Sequence, residues 1–442
     1  MHDLMHDLAL RVAGDECKIV NLNEGSINGG IRHASFASQS SSPQEVTSIL
    51  EPNNLRTFLS LKKSRTFVQN GILSKFRHCR VLGLGYAHFG VPTSLGNRSK
   101  HLRYLDISEN LSMESMPNSI TDLLNLQTLK LSNCKHLKTL PRDLKKLVNL
   151  RHLLINGCDS LSHLPSLSEF PSLRTLNLMG LDALEFLQEI SYPEHSNTTR
   201  PFFPSLERLS LLDSRNLKGW WGRRQMVGAD QDRARYNLQP SFAKLLSAAI
   251  LGCPHLNSVP LFPLIEYLNI ASAELLEQVM AVLDCQSKAP VESTFIPLSK
   301  LKGLHFAGGD LEHSMLETLL PVLNNLESMS LNDYPKLKSL SRGMQYLSSL
   351  QHLVIDACEE LDLSSHDDKH GIQWRSLVKL RIELCDNLTS LPEWIYNFSS
   401  LKVLEIIGCE SLRRFPEGIL RLGNLEEKVR VIGNVPLAEN IF

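Results

Sequence analysis

The chain has 442 residues, 42% of them apolar and 21% charged, with a formal charge of −1. That is ample material for a sizeable core, and the even charge balance excludes a globally basic nucleic-acid binder or a membrane-seeking surface. No apolar run reaches the roughly 20 residues of a membrane span, the most apolar stretch being the short one around Leu245 to Cys253.

In chain order, residues 1 to about 14 predict one amphipathic helix, with Leu4, Leu8 and Val12 on one face and Gly14 placed to end it. The opening Met1-His2-Asp3-Leu4 carries no hydrophobic signal region, so a cytoplasmic address with reduced cysteines is expected. The sequons at Asn197 and Asn387 are then chance matches. Residues 24–48, with Gly29-Gly30 and Ser40-Ser41-Ser42-Pro43, read as an irregular joint, within which Ile31-Arg32-His33-Ala34-Ser35-Phe36 can form an entry strand.

From about residue 53 a pattern L-x-x-L-x-L-x-x-(C/N)-x-x-L-x-x-(L/M)-P recurs to about 426. Its first leucines include Leu102, Leu126, Leu150 and Leu173, at steps of 24, 24 and 23 residues, and it resumes at Leu206, Leu245, Ile265, Leu301, Leu326, Leu350, Leu377 and Leu401. Degenerate copies start at Leu55 and Cys79. A period of this size with this spacing predicts an α/β leucine-rich-repeat solenoid, a horseshoe with a parallel β-sheet on its concave side and irregular or short helical segments on its convex side. One repeat cannot bury its leucines alone, so its neighbours must supply the missing face. In each short strand the alternating leucines face the core, while residues such as Thr128, Lys130 and Ser132 face solvent. Insertions near 188–204, 219–241, 281–299 and 362–376 are expected to project as loops from one rim.

Cys134, Cys158, Cys253, Cys358, Cys385 and Cys409 all fall eight residues after the first leucine of their copy, and Asn110 holds the same slot. A small group able to bond turn backbone belongs there, so these cysteines read as structural rather than as disulfides or a metal site. The triplet His2, Asp3 and His6 has the wrong acid and no third ligand for a zinc protease. The cluster His366-Asp367-Asp368-Lys369-His370 reads as a solvated loop. No catalytic constellation stands out, and the chain is read as a binder, not an enzyme. Arg56, Arg80, Arg103, Arg151 and Arg174 share the slot after the first consensus residue and form a basic row that fades at Glu207, Glu266 and Glu327; the candidate role is a docking patch for an acidic partner face. Trp220 falls where the repeat expects a core leucine, whereas Trp221 opens an Arg-rich insertion and is a candidate partner anchor.

The repeats, together with Met1-His2-Asp3-Leu4-Met5-His6-Asp7-Leu8-Ala9, Ile31-Arg32-His33-Ala34-Ser35-Phe36, Leu55-Arg56-Thr57-Phe58 and Leu217-Lys218-Gly219-Trp220-Trp221, resemble the C-terminal half of plant coiled-coil, nucleotide-binding, leucine-rich-repeat disease resistance proteins. The resemblance implies residues 1–22 as the end of a nucleotide-binding module, 23–52 as a linker, 53–426 as the repeat domain and 427–442 as a degenerate cap or tail. It implies a sensor of a pathogen effector or guarded host protein that also holds the receptor inactive. Through the M-H-D motif it implies that His2 and Asp3 contact bound ADP in a receptor that exchanges it for ATP. No G-x-x-x-x-G-K-[ST] loop occurs, so these 442 residues alone are expected to hold no nucleotide. The alternative is a free-standing repeat scaffold, adaptor or decoy. Expected partners are the effector or guarded protein and a nucleotide-binding module in cis or trans, with no nucleic acid. Specificity is expected on outward strand positions: Tyr104, Asp106, Thr128, Lys130, His152, Asn156, Thr175, Asn177, Arg208, Tyr267, His305, His352, Arg381 and Glu405, beside Arg103, Arg151, Arg174 and Trp221.

Overall fold

The computed structural model describes residues 14–20, 30–36, 54–60, 76–85, 95–190, 203–223, 242–256, 262–271, 275, 298–308, 313–340, 342–363, 374–416 and 428–432. The expectations placed on His2, Asp3 and His6, on the cluster at His366 and on most of the inserted loops lie outside those residues. The chain divides into two units, Met1–Ala243 with Cys253–Leu256, and Lys244–Gly252 with Asn257–Phe442.

The first unit is a stack of short parallel strands laid down in chain order. They are β1 (Cys17–Val20), β2 (His33–Phe36), β3 (Thr57–Ser60), β4 (Val81–Gly83), β5 (Tyr104–Asp106), β6 (Thr128–Ser132), β7 (His152–Asn156), β8 (Thr175–Met179) and β10 (Arg208–Leu212). Each pairs in register with the next, so that Leu105, Leu129, Leu153, Leu176 and Leu209 form one ladder. Ile31-to-Phe36 thus contributes β2, which pairs with β1 on one side and β3 on the other. A separate parallel pair, β9 (Phe186–Ile190) with β11 (Gly219–Arg223), lies outside this stack.

The second unit repeats the plan with β12 (Ser247–Leu251), β13 (Tyr267–Ile270), β14 (Gly303–Ala307), β15 (Ser328–Asn332), β16 (His352–Asp356), β17 (Lys379–Glu383), β18 (Val403–Ile407) and β19 (Lys428–Ile432). β19 pairs with β18 in the same register as the strands before it, although its segment lacks the consensus leucines. Away from the strands the chain turns through short helical segments: Asn118–Asp122, Arg142–Lys146 and Leu167–Glu169 in the first unit, His313–Leu319, Arg342–Tyr346 and Glu393–Asn397 in the second. Each unit is therefore a parallel-sheet leucine-rich-repeat solenoid.

The consensus positions are the core. Leu126, Leu129, Leu131, Leu137, Leu144 and Leu147 are fully buried in one copy, as are Leu150, Leu153, Ile155 and Leu161 in the next. A further buried column lies three residues before the first consensus residue and takes an aromatic side chain in several copies, among them Phe170, Phe203, Phe242, Phe262, Trp374 and Phe398. Trp220 is buried as expected, its ring edge-on to Phe242 with centroids 5.4 Å apart. Trp374 also donates its indole N–H to the Met344 carbonyl at 2.9 Å, which satisfies the one polar atom it brings inside.

The cysteine slot is a ladder of thiols facing backbone. Cys134 Sγ lies 3.4 Å from the Ile107 carbonyl, Cys158 Sγ 3.9 Å from that of Leu131, and Cys358 Sγ 3.9 Å from that of Leu331. Asn110 and Ser214 occupy the slot elsewhere, both buried. Just before it the backbone enters the left-handed region in successive repeats: Glu109, Asn133, Gly157, Gly180 and Asp213 in the first unit, and Asp333, Ala357, Leu384 and Gly408 in the second. Gly157 adopts φ +60° freely, whereas Leu384 at φ +50° does so against its own side chain.

Where most of the strands begin, two successive amides reach the same carbonyl of the repeat before. The N–H groups of Gln127 and Thr128 both donate to the Arg103 carbonyl, at 2.8 and 2.9 Å, and those of Arg151 and His152 both donate to Gln127. In the second unit Lys302 with Gly303, and Glu327 with Ser328, do the same. This clasp uses no side chain.

Candidate partner-binding surface

Strand alternation turns every second side chain out of the core, and the register sorts those side chains into columns. In the first unit one column runs Tyr104, Thr128, His152, Thr175, Arg208, and the next runs Asp106, Lys130, Leu154, Asn177. Asn156 stands between Ser132 and Met179 in a third. All the outward residues expected on this unit therefore fall on one face of one sheet.

That face is knit together electrostatically. Lys130 Nζ lies 3.2 Å from Asp106 Oδ2, and the Tyr104 hydroxyl donates to the same oxygen at 3.4 Å. Burial, and then the Asp106 charge, raise the Tyr104 phenol above its ordinary pKa. His152 is pushed down, first by burial and then by Arg208, Arg151 and Arg174, which favours the uncharged imidazole. The buried amide oxygens of Asn156 and Asn177 have no hydrogen-bond partner among the described residues, which leaves two acceptors unused on this face.

In the second unit the columns are Tyr267, Gly303, Ser328, His352, Lys379, Val403 and Asn269, His305, Ser330, Val354, Arg381, Glu405. Tyr267 is 46% exposed and lies across Gly303, where an added Cβ would stand 2.6 Å from its ring. The glycine thus lets an aromatic lie flat on the sheet. Burial pushes His305 down as well. Toward the end of the unit a charged cluster forms, in which Lys379 Nζ is 2.8 Å and Arg381 Nη1 3.8 Å from Glu405 Oε2, and Arg381 also pairs with Glu383. The hydrogen bond from Lys379 is the main reason the Glu405 carboxyl is held below its ordinary value. Asp356, opposite Glu383, is raised by burial and by that carboxylate.

One expectation is corrected. Glu405 occupies an outward slot but is only 8% exposed, with the Lys379 and Arg381 side chains paired to its carboxylate. Of Trp221 only the backbone, opposite Gln188, is described. Conversely, Met179 at 40% and Leu384 at 51% exposure are apolar side chains on the strand-exit edge of their units. The sequence hides them, since a leucine or methionine in a leucine-rich chain draws no notice, and only the register shows which face it takes.

The basic row is longer than the leucine-anchored spacing suggests. Carbonyl-to-amide bonds link Arg32, Arg56, Arg80 and Arg103 one to the next, then Gln127, Arg151, Arg174 and Glu207. The column ends in a pair, Arg174 Nη1 lying 3.4 Å from Glu207 Oε1. The second unit carries charges of both signs at the same slot, with Lys302 Nζ 3.2 Å from Glu266 Oε2.

A family profile described as a leucine-rich repeat region matches residues 54–284. A putative disease resistance protein of Arabidopsis thaliana is 37% identical over 146 residues, which are 30% of this chain and 10% of that protein. A probable disease resistance protein of the same plant is 35% identical over 92 residues, 21% of this chain and 20% of its own length. The chain thus spans about a tenth and about a fifth of the curated relatives it matches. Its fold is similar to that of the protein in the TLR13–ssRNA13 complex, with a TM-score of 0.54 at 15% identity over 85% of this chain and 51% of the other. Identity that low speaks for the fold alone.

Proposed function

This chain belongs to the leucine-rich repeat family, and from that premise we propose that it is the recognition and autoinhibitory part of a plant immune receptor, sensing a pathogen effector or a guarded host protein. The observation that carries the reading is the pair of outward sheet faces, each displaying polar, charged and aromatic side chains on strands held by backbone and buried leucines. Homology to plant disease resistance proteins supplies the biological setting. Such a surface gains affinity from a few aromatic and arginine anchors, here Tyr104, Tyr267 and Arg208, while the surrounding polar side chains set register.

The autoinhibitory half of the role belongs to the basic column. Arg174 pairs with Glu207, while Arg103 and Arg151 carry no ion pair among the described residues; together they present a positive edge to an acidic face of a nucleotide-binding module, in cis or trans. In such a receptor ADP or ATP is held by that module, with His2 and Asp3 at its end. The setting is cytoplasmic; among the described residues no helix is long and apolar enough to cross a membrane. The test is co-purification of this chain with a nucleotide-binding half from the same plant. The triple variant Arg103→Glu, Arg151→Glu, Arg174→Glu is expected to lose association, and unchanged recovery rejects the patch.

A further inference from the structure

The first repeats hold a feature that partner recognition leaves unused. A recess of about 420 Å³ opens at the strand-start edge of the first unit, walled by Arg32, Arg56, Arg80, His78 and His101. Its volume is in the range of small-molecule sites. Two columns build it. The amide of Arg56 donates to the Arg32 carbonyl at 2.7 Å and that of Arg80 to the Arg56 carbonyl at 2.7 Å, so the three guanidinium stems rise from adjacent strands, at a spacing of about 4.8 Å. Beside them the His78 and His101 rings stack, with centroids 6.0 Å apart and planes 22° from parallel.

Charge in the recess is one-sided. Arg32 has Glu16 at 3.4 Å, while Arg56 and Arg80 meet no carboxylate among the described residues. Like charges on neighbouring strands repel, and nothing in the fold demands arginine there, because the backbone clasp is indifferent to the side chain. An anion with several oxygens close together would relieve that repulsion, and planar guanidinium forks bind phosphate oxygens two at a time. The imidazoles add donors and a flat wall.

We propose that this recess binds a small molecule bearing two or more adjacent phosphate groups. The site is distinct from the outward strand faces and from Arg103, Arg151 and Arg174 farther along the column.

The test is calorimetric titration of the intact 442-residue chain with inorganic tripolyphosphate, with ATP and polyglutamate as comparison ligands. Tripolyphosphate is expected to bind saturably, one per chain. Arg56→Gln with Arg80→Gln is expected to weaken it by about tenfold or more, and Arg151→Gln with Arg174→Gln by less than about twofold, although both pairs remove the same charge. ATP binding as tightly as tripolyphosphate identifies a nucleotide as the source of the phosphates; tripolyphosphate alone identifies a non-nucleotide one. Absence of saturable binding, or equal weakening by both pairs, overturns the site. Polyglutamate binding equally well and with the same sensitivity overturns it in favour of an acidic protein segment. Should the first pair melt earlier than the parent, the single Arg80→Gln decides instead: weakening of about threefold or more supports the site, and unchanged binding overturns it.

Discussion

Replacing Leu153 by alanine tests the register on which everything else depends. Leu153 is fully buried, and so are its strand neighbours Leu129 and Leu176 and its own-strand partner Ile155. The substitution removes three carbons, and at about 0.8 kcal/mol per buried methylene their transfer alone is worth about 2.4 kcal/mol. The hole cannot close, because the ladder above and below is pinned by backbone bonds at every strand, so a cavity contribution raises the total to about 3–4 kcal/mol. Ser132, in the neighbouring strand, is half-buried, and its hydroxyl makes no hydrogen bond among the described residues; Ser132→Ala should stay within about 0.5 kcal/mol. Repeat arrays need not unfold as one unit, so the sharper assay is hydrogen exchange followed by mass spectrometry. Leu153→Ala should speed exchange in β6, β7 and β8 far more than in β16 to β18. Equal urea midpoints and equal exchange for the two variants would refute the assignment of inward and outward faces.

Thiol labelling of the native chain, mapped by peptide mass, should reach Cys17 orders of magnitude faster than Cys79, Cys134, Cys158, Cys253, Cys358, Cys385 or Cys409, since Cys17 alone among the described cysteines is exposed; burial holds the Cys79 thiol up at about 12, so little thiolate forms there. Fast labelling at Cys158 in folded protein would contradict the ladder. For His305, whose folded pKa is lowered by burial from an ordinary 6.5, the unfolded chain takes up the proton first as pH falls. Its contribution to stability is therefore complete above about pH 6.5 and is lost on acidification toward the folded value. Thermal melts between pH 7.5 and 5 should show a shallower decline for His305→Gln than for the parent, and parallel curves would remove His305 from the account.

The leucine spacing makes the strands and the core face legible, because burial follows the period directly. Leu102, Leu105 and Ile107 are inside, as are Leu377, Leu380 and Ile382, in repeats that share almost no other residue. Whatever the neighbouring repeat decides escapes the pattern. Arg32 joins the basic row through the bond from the Arg56 amide to its carbonyl; in the sequence it sits one 24-residue step before Arg56, but in a segment that lacks the rest of the consensus. Alternation assigns Glu405 outward, which is right for its backbone, yet the residue is buried and paired with two long cationic side chains from the adjacent strand. The recess at His78 and His101 is invisible in the sequence, because those residues come from different repeats in a slot the consensus leaves open. Periodicity reports the residues a repeat needs, not the side chains that meet across it.

The strand-start clasp has a consequence for how such a chain can change over generations. Because both of its bonds join main chain to main chain, Gln127 and Thr128 to Arg103 or Glu327 and Ser328 to Lys302, the junctions that carry it are alike whatever residues stand there. A whole repeat can be duplicated or deleted and the new junction will still close, whereas a gain of one residue within a strand would turn its leucines outward. Misaligned recombination in steps of one repeat is thus tolerated by the scaffold, and each such event hands the sheet a fresh ordering of outward side chains without asking the leucines to be reinvented.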